Sequence, residues 1–278
     1  METHILLISC ADEKGLISKI STSIFAFNLN IIVMREFVDP ETDSFFMRCE
    51  LFGEPDKPAL VADLKQKLPK QARITLNQKQ KKNLVVLATK EYHCLSDLLT
   101  RFHFDEINAN ILAVISNHEF LKPYVEKFEV PFHFISHEGK SKETFENQLT
   151  EQVTSYSPDF MVLAKFMRIL SPQFVSLFEN KIINIHHSFL PAFVGANPYK
   201  QAFQRGVKLI GATAHFVNNN LDEGPIISQK VLNVDHTFAV KTMVQAGHEV
   251  ERAVLVEALN LVLEDRVFVT GNKTIVFA

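Results

Sequence analysis

Residues 77–88 read N-Q-K-Q-K-K-N-L-V-V-L-A. Seven polar residues, Asn77 to Asn83, run straight into five apolar ones, Leu84 to Ala88. Charge and amide without apolar anchors predict an exposed domain boundary. A short, continuous apolar run predicts a strand covered on both faces. The stretch therefore divides the 278-residue chain into a small module over residues 1–80 and a larger one over 83–278.

Upstream of the boundary, the pattern is β-α-β-β-α-β. Ile5 to Ser9 is an apolar strand and Asp12 to Gly15 a turn. Leu16 to Asn28 spaces Ile17, Ile20, Ile24 and Phe25 as a helix does. Asn30–Phe37 and Phe45–Leu51 predict strands joined by a turn at Pro40–Asp43. Leu60, Leu64 and Leu68 mark a second helix, and Gln71–Leu76 a weak last strand. This order builds a ferredoxin-like sheet with two helices on one face. Downstream, strand-like runs recur at Ile107–Ser116, Val130–Phe134, Phe160–Leu163, Ile182–Ile185 and Ile210–Val217. Helical runs lie between several of them, at Cys94–Arg101, His118–Lys127, Lys142–Ser155 and Pro198–Arg205. Such alternation predicts a mostly parallel, doubly wound α/β domain. Ligands of these sheets collect at the carboxyl ends of the strands.

Composition excludes several functions. Hydrophobic residues are 46% of the chain and the formal net charge is -3. No basic face is indicated beyond the short run Lys79, Lys81 and Lys82, so nucleic acid is not an expected partner. No apolar stretch nears ~20 residues, so no membrane span is expected. The N-terminal METHILLISC lacks a basic region and a cleavage site, so no signal peptide is expected. Cys10, Cys49 and Cys94 are odd in number and not spaced as metal ligands, which suits a reduced, cytoplasmic setting.

Two segments carry candidate chemistry. Asn184 to Pro191 reads N-I-H-H-S-F-L-P. Strand periodicity puts Asn184 and His186 on one side and Ile185 on the other. The second segment, His215 to Pro225, reads H-F-V-N-N-N-L-D-E-G-P. Asp222 beside His186 would orient or protonate the imidazole. Asn184 would donate to a developing oxyanion, completing an acyl-transfer centre. Each residue also has a plain reading, as a satisfied polar cap on a strand or a solvated turn aspartate. His186, His187, His215 and Asp222 admit a metal, although their spacing fits no compact ligand motif. Ser188 is too close to His186 along the chain for triad geometry.

Three stretches then point to a known family. Asn184–Lys200 reads N-I-H-H-S-F-L-P-A-F-V-G-A-N-P-Y-K, Gly211–Ile227 reads G-A-T-A-H-F-V-N-N-N-L-D-E-G-P-I-I, and Val262–Phe277 reads V-L-E-D-R-V-F-V-T-G-N-K-T-I-V-F. They closely resemble the formyltetrahydrofolate deformylases, a hydrolase group of the formyltransferase-fold family. The resemblance implies hydrolysis of 10-formyltetrahydrofolate to formate and tetrahydrofolate, which feeds purine synthesis and balances the one-carbon pool. It implies Asn184, His186 and Asp222 as the catalytic set, with neither metal nor redox cofactor. It implies folate contacts from Met167, Arg168, Ile169 and Leu170 and from the loop that starts at His215. Met167, Ile169 and Leu170 suit core packing equally well. Asn197 and Tyr199 are candidates for the acceptor side, although Asn197 before Pro198 also suits a helix cap. Glycinamide ribonucleotide transferases of this fold carry a Gly- and Ser-rich phosphate loop after the first catalytic-domain strand. Here Thr89 to Asp97 reads T-K-E-Y-H-C-L-S-D, with no glycine, a poor phosphate nest. Water is therefore the expected acceptor, and transfer to a small amine the alternative. The first module resembles an ACT domain, with Ala11 where proline is common. That resemblance implies a homo-oligomer and a small amino-acid effector near Asp12 and Gly15.

Overall fold

The computed structural model describes residues 2–192 and 198–277. The chain divides into two compact units, residues 1–80 with 264–268 and 277–278, and residues 81–263 with 269–276.

In the first unit, β1 (Glu2–Ala11), α1 (Leu16–Ala26), β2 (Asn30–Asp39), β3 (Ser44–Gly53), α2 (Lys57–Lys67) and β4 (Arg73–Gln78) follow in order. They form an antiparallel sheet in the order β2-β3-β1-β4, the ferredoxin-like arrangement expected. Leu6, Ile8, Met47, Cys49 and Leu51 face Leu16, Ile20, Ile24, Leu60 and Leu64 of the two helices. Gly15 enters α1 in left-handed backbone, φ 87°, which glycine adopts without a Cβ penalty. Asp56 caps α2 by accepting from the Ala59 amide, with a proline in the first turn.

The polar boundary is shorter than its composition suggests. Asn77 and Gln78 pair with Ile5 and His4, and Lys82 and Asn83 pair with Ala109 and Asn110. Ladder pairing uses main-chain groups and does not need apolar side chains. Only Lys79–Lys81 lies between strands, and Lys79 and Lys81 form ion pairs with Glu50 and Asp105.

The second unit continues with β5 (Lys82–Ala88), α3 (His93–His103), β6 (Ala109–Ser116), α4 (Lys122–Val125) and β7 (Phe132–Phe134). Next come α5 (Lys142–Tyr156), β8 (Phe160–Ala164), α6 (Pro172–Leu177) and β9 (Ile182–His186). It goes on with α7 (Pro198–Arg205), β10 (Leu209–Phe216), β11 (Ile226–Asn233) and α8 (Val240–Leu263), after which come the short strands β12 (Val267–Thr270) and β13 (Lys273–Val276). Seven strands form one sheet, β11-β10-β9-β8-β5-β6-β7. The pairs from β9 to β7 are parallel, while β10 and β11 are antiparallel additions. Val85, Leu87, Met161 and Leu163 pack against Phe145, Leu149 and Val153 of α5 and Phe174 and Val175 of α6. Leu84 and Val86, which alternate with them, are equally buried, and α3 and α8 pack together with sheet strands. The helix expected over His118–Lys127 shrinks to Lys122–Val125 plus a 3-10 turn. Pro123 is tolerated only in a first turn, so a helix cannot run through it from His118. Among the described residues, no helix is long and apolar enough to cross a membrane.

Candidate active site

Asn184 and His186 end β9, and His215 lies near the end of β10, the antiparallel neighbour. Register places His215 opposite Asn184, and the Asn184 Nδ2 lies 3.2 Å from His215 Nε2. The register with β11 shifts between Ala214 and His215, which face Ser228 and Ile226, leaving Ile227 as the extra residue. The His215 Nδ1 donates to the Phe216 carbonyl at 2.9 Å. Burial lowers the His215 pKa despite that hydrogen bond and the Asp222 charge. A neutral ring with its proton on Nδ1 leaves Nε2 as an acceptor, so Asn184 donates. The second amide N–H of Asn184 remains for another acceptor.

Asp222 arrives from the loop between β10 and β11. Its backbone is left-handed, φ 58°, a conformation that short polar side chains tolerate. A Cβ on Gly224 would lie 1.7 Å from the Phe216 carbonyl oxygen, so only glycine lets the loop close onto β10. The Phe216 amide then donates to the Pro225 carbonyl at 2.9 Å. The closed loop brings Asp222 Oδ1 3.3 Å from His186 Nδ1 and 4.0 Å from His215 Nε2. Burial alone would raise the Asp222 pKa, but the hydrogen bond and charge of His186 outweigh it and hold the carboxyl below its usual range. The other ring nitrogen of His186, Nε2, is buried without a partner among the described residues.

These groups line a cavity of about 460 Å³, a volume suited to a small organic ligand. Met167, Arg168, Ile169 and Leu170 line it too. Met167 and Ile169 are 58% and 62% exposed, so they are not core residues, whereas Leu170 packs against the α5 core. The Arg168 guanidinium lies 5.7 Å from the centre of the Phe145 ring. Asn197 lies outside the described residues. Asp12 and Gly15 stand in the turn between β1 and α1 of the first unit, where the Asp12 amide donates to the Asp43 carbonyl.

A second polar cluster escaped the sequence reading. Glu251 of α8 is fully buried. Its Oε2 lies 2.9 Å from His93 Nε2 and 3.1 Å from Lys165 Nζ, and its Oε1 accepts from the Tyr199 hydroxyl at 2.7 Å. Burial opposes ionisation here, but His93, Lys165 and Tyr199 bring the Glu251 pKa down to about 2. Tyr199 thus turns into the interior rather than toward an acceptor. Gly247, one turn before Glu251, makes room for it, since a Cβ there would lie 2.1 Å from the hydroxyl. The signal was present, because a glutamate stands on the stripe Met243, Gly247, Glu251, Val254, Leu255 of an otherwise core-facing helix side. Donor groups close enough for a metal ion are Glu91, His93 and His248, and His93, Cys94 and Glu251. In the second set, Glu251 is already saturated by its three partners.

A family model described as Formyl transferase matches residues 82–259. Formyltetrahydrofolate deformylase of Haemophilus influenzae is 51% identical over 276 residues, covering 99% of each chain. The crystal structure of a formyltetrahydrofolate deformylase from Pseudomonas syringae superposes with a TM-score of 0.95 at 40% identity, covering 100% of this chain and 95% of that one. Glycinamide ribonucleotide transformylase 1 of Symbiobacterium toebii is more distant, with a TM-score of 0.68 at 28% identity over 71% of this chain and 95% of its own. Near-complete coverage at such identity, on top of the shared fold, leaves one conclusion: this chain belongs to the formyltetrahydrofolate deformylase family.

Proposed function

We propose that the protein hydrolyses 10-formyltetrahydrofolate to formate and tetrahydrofolate at the Asn184, His186 and Asp222 cluster. The observation that carries this reading is His186. One ring nitrogen faces Asp222, and the other is buried, without a partner among the described residues, and part of a residue that lines the cavity. Water attacks the formyl carbon. Asn184, held by His215, donates its remaining N–H to the tetrahedral oxygen, and protonated His186 adds a second donor. Asp222 accepts the water proton, directly or through an ordered water, and orients His186. The intermediate collapses as His186 supplies a proton to the departing folate nitrogen. Met167, Arg168, Ile169, Leu170 and His215 hold the folate. The first unit is an ACT-type module that assembles a homo-oligomer and takes a small amino acid near Asp12 and Gly15. The setting is cytoplasmic, in keeping with three buried, free cysteines. Formate release from 10-formyltetrahydrofolate, measured with no acceptor added, tests the reading. Steady release is expected; none at all would favour transfer to an amine.

A further inference from the structure

The second polar cluster holds an ion pair whose positive end, the Lys165 ammonium, lines the cavity while Glu251 stays buried behind it. Leu163 on β8 pairs with Asn184 on β9, so Lys165 and His186 each lie two residues beyond that pair. Both line the cavity, with His187 beside them. The Lys165 backbone is left-handed, φ 61°, and its carbonyl accepts from Thr89 Oγ1 at 2.8 Å. These contacts fix where the side chain begins. Glu251, 3.1 Å from Nζ, fixes where it ends, and the side chain is only 8% exposed. The charge is felt at the site. His187 is lowered to about 4, first by burial and next by Lys165, with the opposing effect of Glu251 smaller than that of Lys165.

We propose that Lys165, clamped by Glu251, reserves the acceptor side of this cavity for water. The inference rests on the hydrolytic reading above and deepens it. The competing nucleophile for a formyl group is a primary amine, which at neutral pH arrives as a cation. The charged residues lining the cavity are Lys142, Lys165, Arg168 and Asp222, three cations against one carboxylate. Asp222 is engaged by His186, and both Glu251 oxygens are taken. An ammonium entering beside Lys165 meets like charge in a partly dry wall, and the one carboxylate lining the cavity, Asp222, already faces His186, a built-in discrimination against the wrong partner. Water carries no charge and meets no such penalty. Lys165 is in this sense a specificity-determining residue, not a catalytic one.

The test supplies 10-formyltetrahydrofolate together with glycinamide and measures formate and N-formylglycinamide side by side. In the amine reaction, the amine nitrogen bonds to the formyl carbon and the bond from that carbon to the folate nitrogen breaks. The amine's proton ends on the folate nitrogen. Wild type should yield formate alone. Lys165→Met should raise formylated amine per formate by about tenfold or more, the scale of one lost like-charge contact. Lys165→Arg keeps the charge and should behave as wild type. Because Lys165→Met leaves Glu251 short of a partner, the double variant Lys165→Met/Glu251→Gln, which removes both charges, serves as its folded counterpart. An unmoved product ratio in both Met-containing variants overturns the proposal. So does Lys165→Arg matching Lys165→Met. Wild type that releases no formate instead sinks the hydrolytic reading itself, so the two failures are distinguishable.

Discussion

Asp222 and Glu251 are both carboxylates set against a histidine, and their surroundings are opposite. Asp222 stands on a turn, in left-handed backbone, 3.3 Å from His186, and it lines the cavity. Glu251 stands on a long helix, fully buried, and meets three side chains at once. Both are held below the ordinary carboxylate range by their partners against the opposing effect of burial. The contrast shows that a low pKa does not by itself mark a catalytic acid. What separates the two is spare capacity. Around Asp222, His186 and Asn184 keep hydrogen-bonding positions for a ligand; around Glu251, the carboxylate oxygens are consumed by the protein.

The contrast can be broken experimentally, and the largest effect belongs to Asp222. Asp222→Asn should leave thermal unfolding nearly unchanged and cut formate turnover by roughly 10²–10⁴-fold, the usual contribution of a proton-transfer group. A retained rate above about a tenth of wild type would remove Asp222 from its role. Glu251→Ala should act on stability instead. It strands Lys165 in the interior, which typically costs about 3–5 kcal/mol, read from the urea midpoint. If the midpoint holds and only turnover falls, the two carboxylates are not divided as described. His215→Phe should be milder. It deprives the Asn184 amide of its acceptor and should lower kcat by up to about 100-fold, with KM rising as well because the ring also lines the folate cavity.

The smallest effect is a pH dependence. Glu251 titrates at about 2 in the folded chain against an ordinary value of 4.5. A depressed carboxylate contributes its full stability above the ordinary value and loses it as pH falls through the interval between the two. The difference in melting temperature between wild type and Glu251→Gln should therefore narrow as pH drops from 4.5 toward 2. A gap that stays constant down to about pH 3 would contradict the buried ionic network.

Legibility in the sequence follows the same division. Strand and helix periods gave both folds, because Leu84–Ala88 and Leu60, Leu64, Leu68 carry their faces in local order. Asn184 and His186 were legible because they share one strand, and Asp222 because a short acidic turn beside glycine and proline stands out. The position of His215 opposite Asn184 was not, since register across strands is a tertiary property. The Glu251 network was hidden for a similar reason. His93, Lys165, Tyr199 and Glu251 are scattered over more than half the chain and meet only once the sheet and its helices close. The polar residues at the end of β4 and the start of β5 have the composition of a linker, although their main chain still pairs.

Gly224 touches no ligand and contributes no reacting atom, yet the Phe216 carbonyl occupies the space any side chain there would need. The freedom to change this position is therefore as narrow as at the carboxylate two residues earlier. A sequence drifting under selection could exchange many cavity-lining apolar residues before it could add a single methyl group at 224. In that sense, part of the information for catalysis is stored as an absence of atoms.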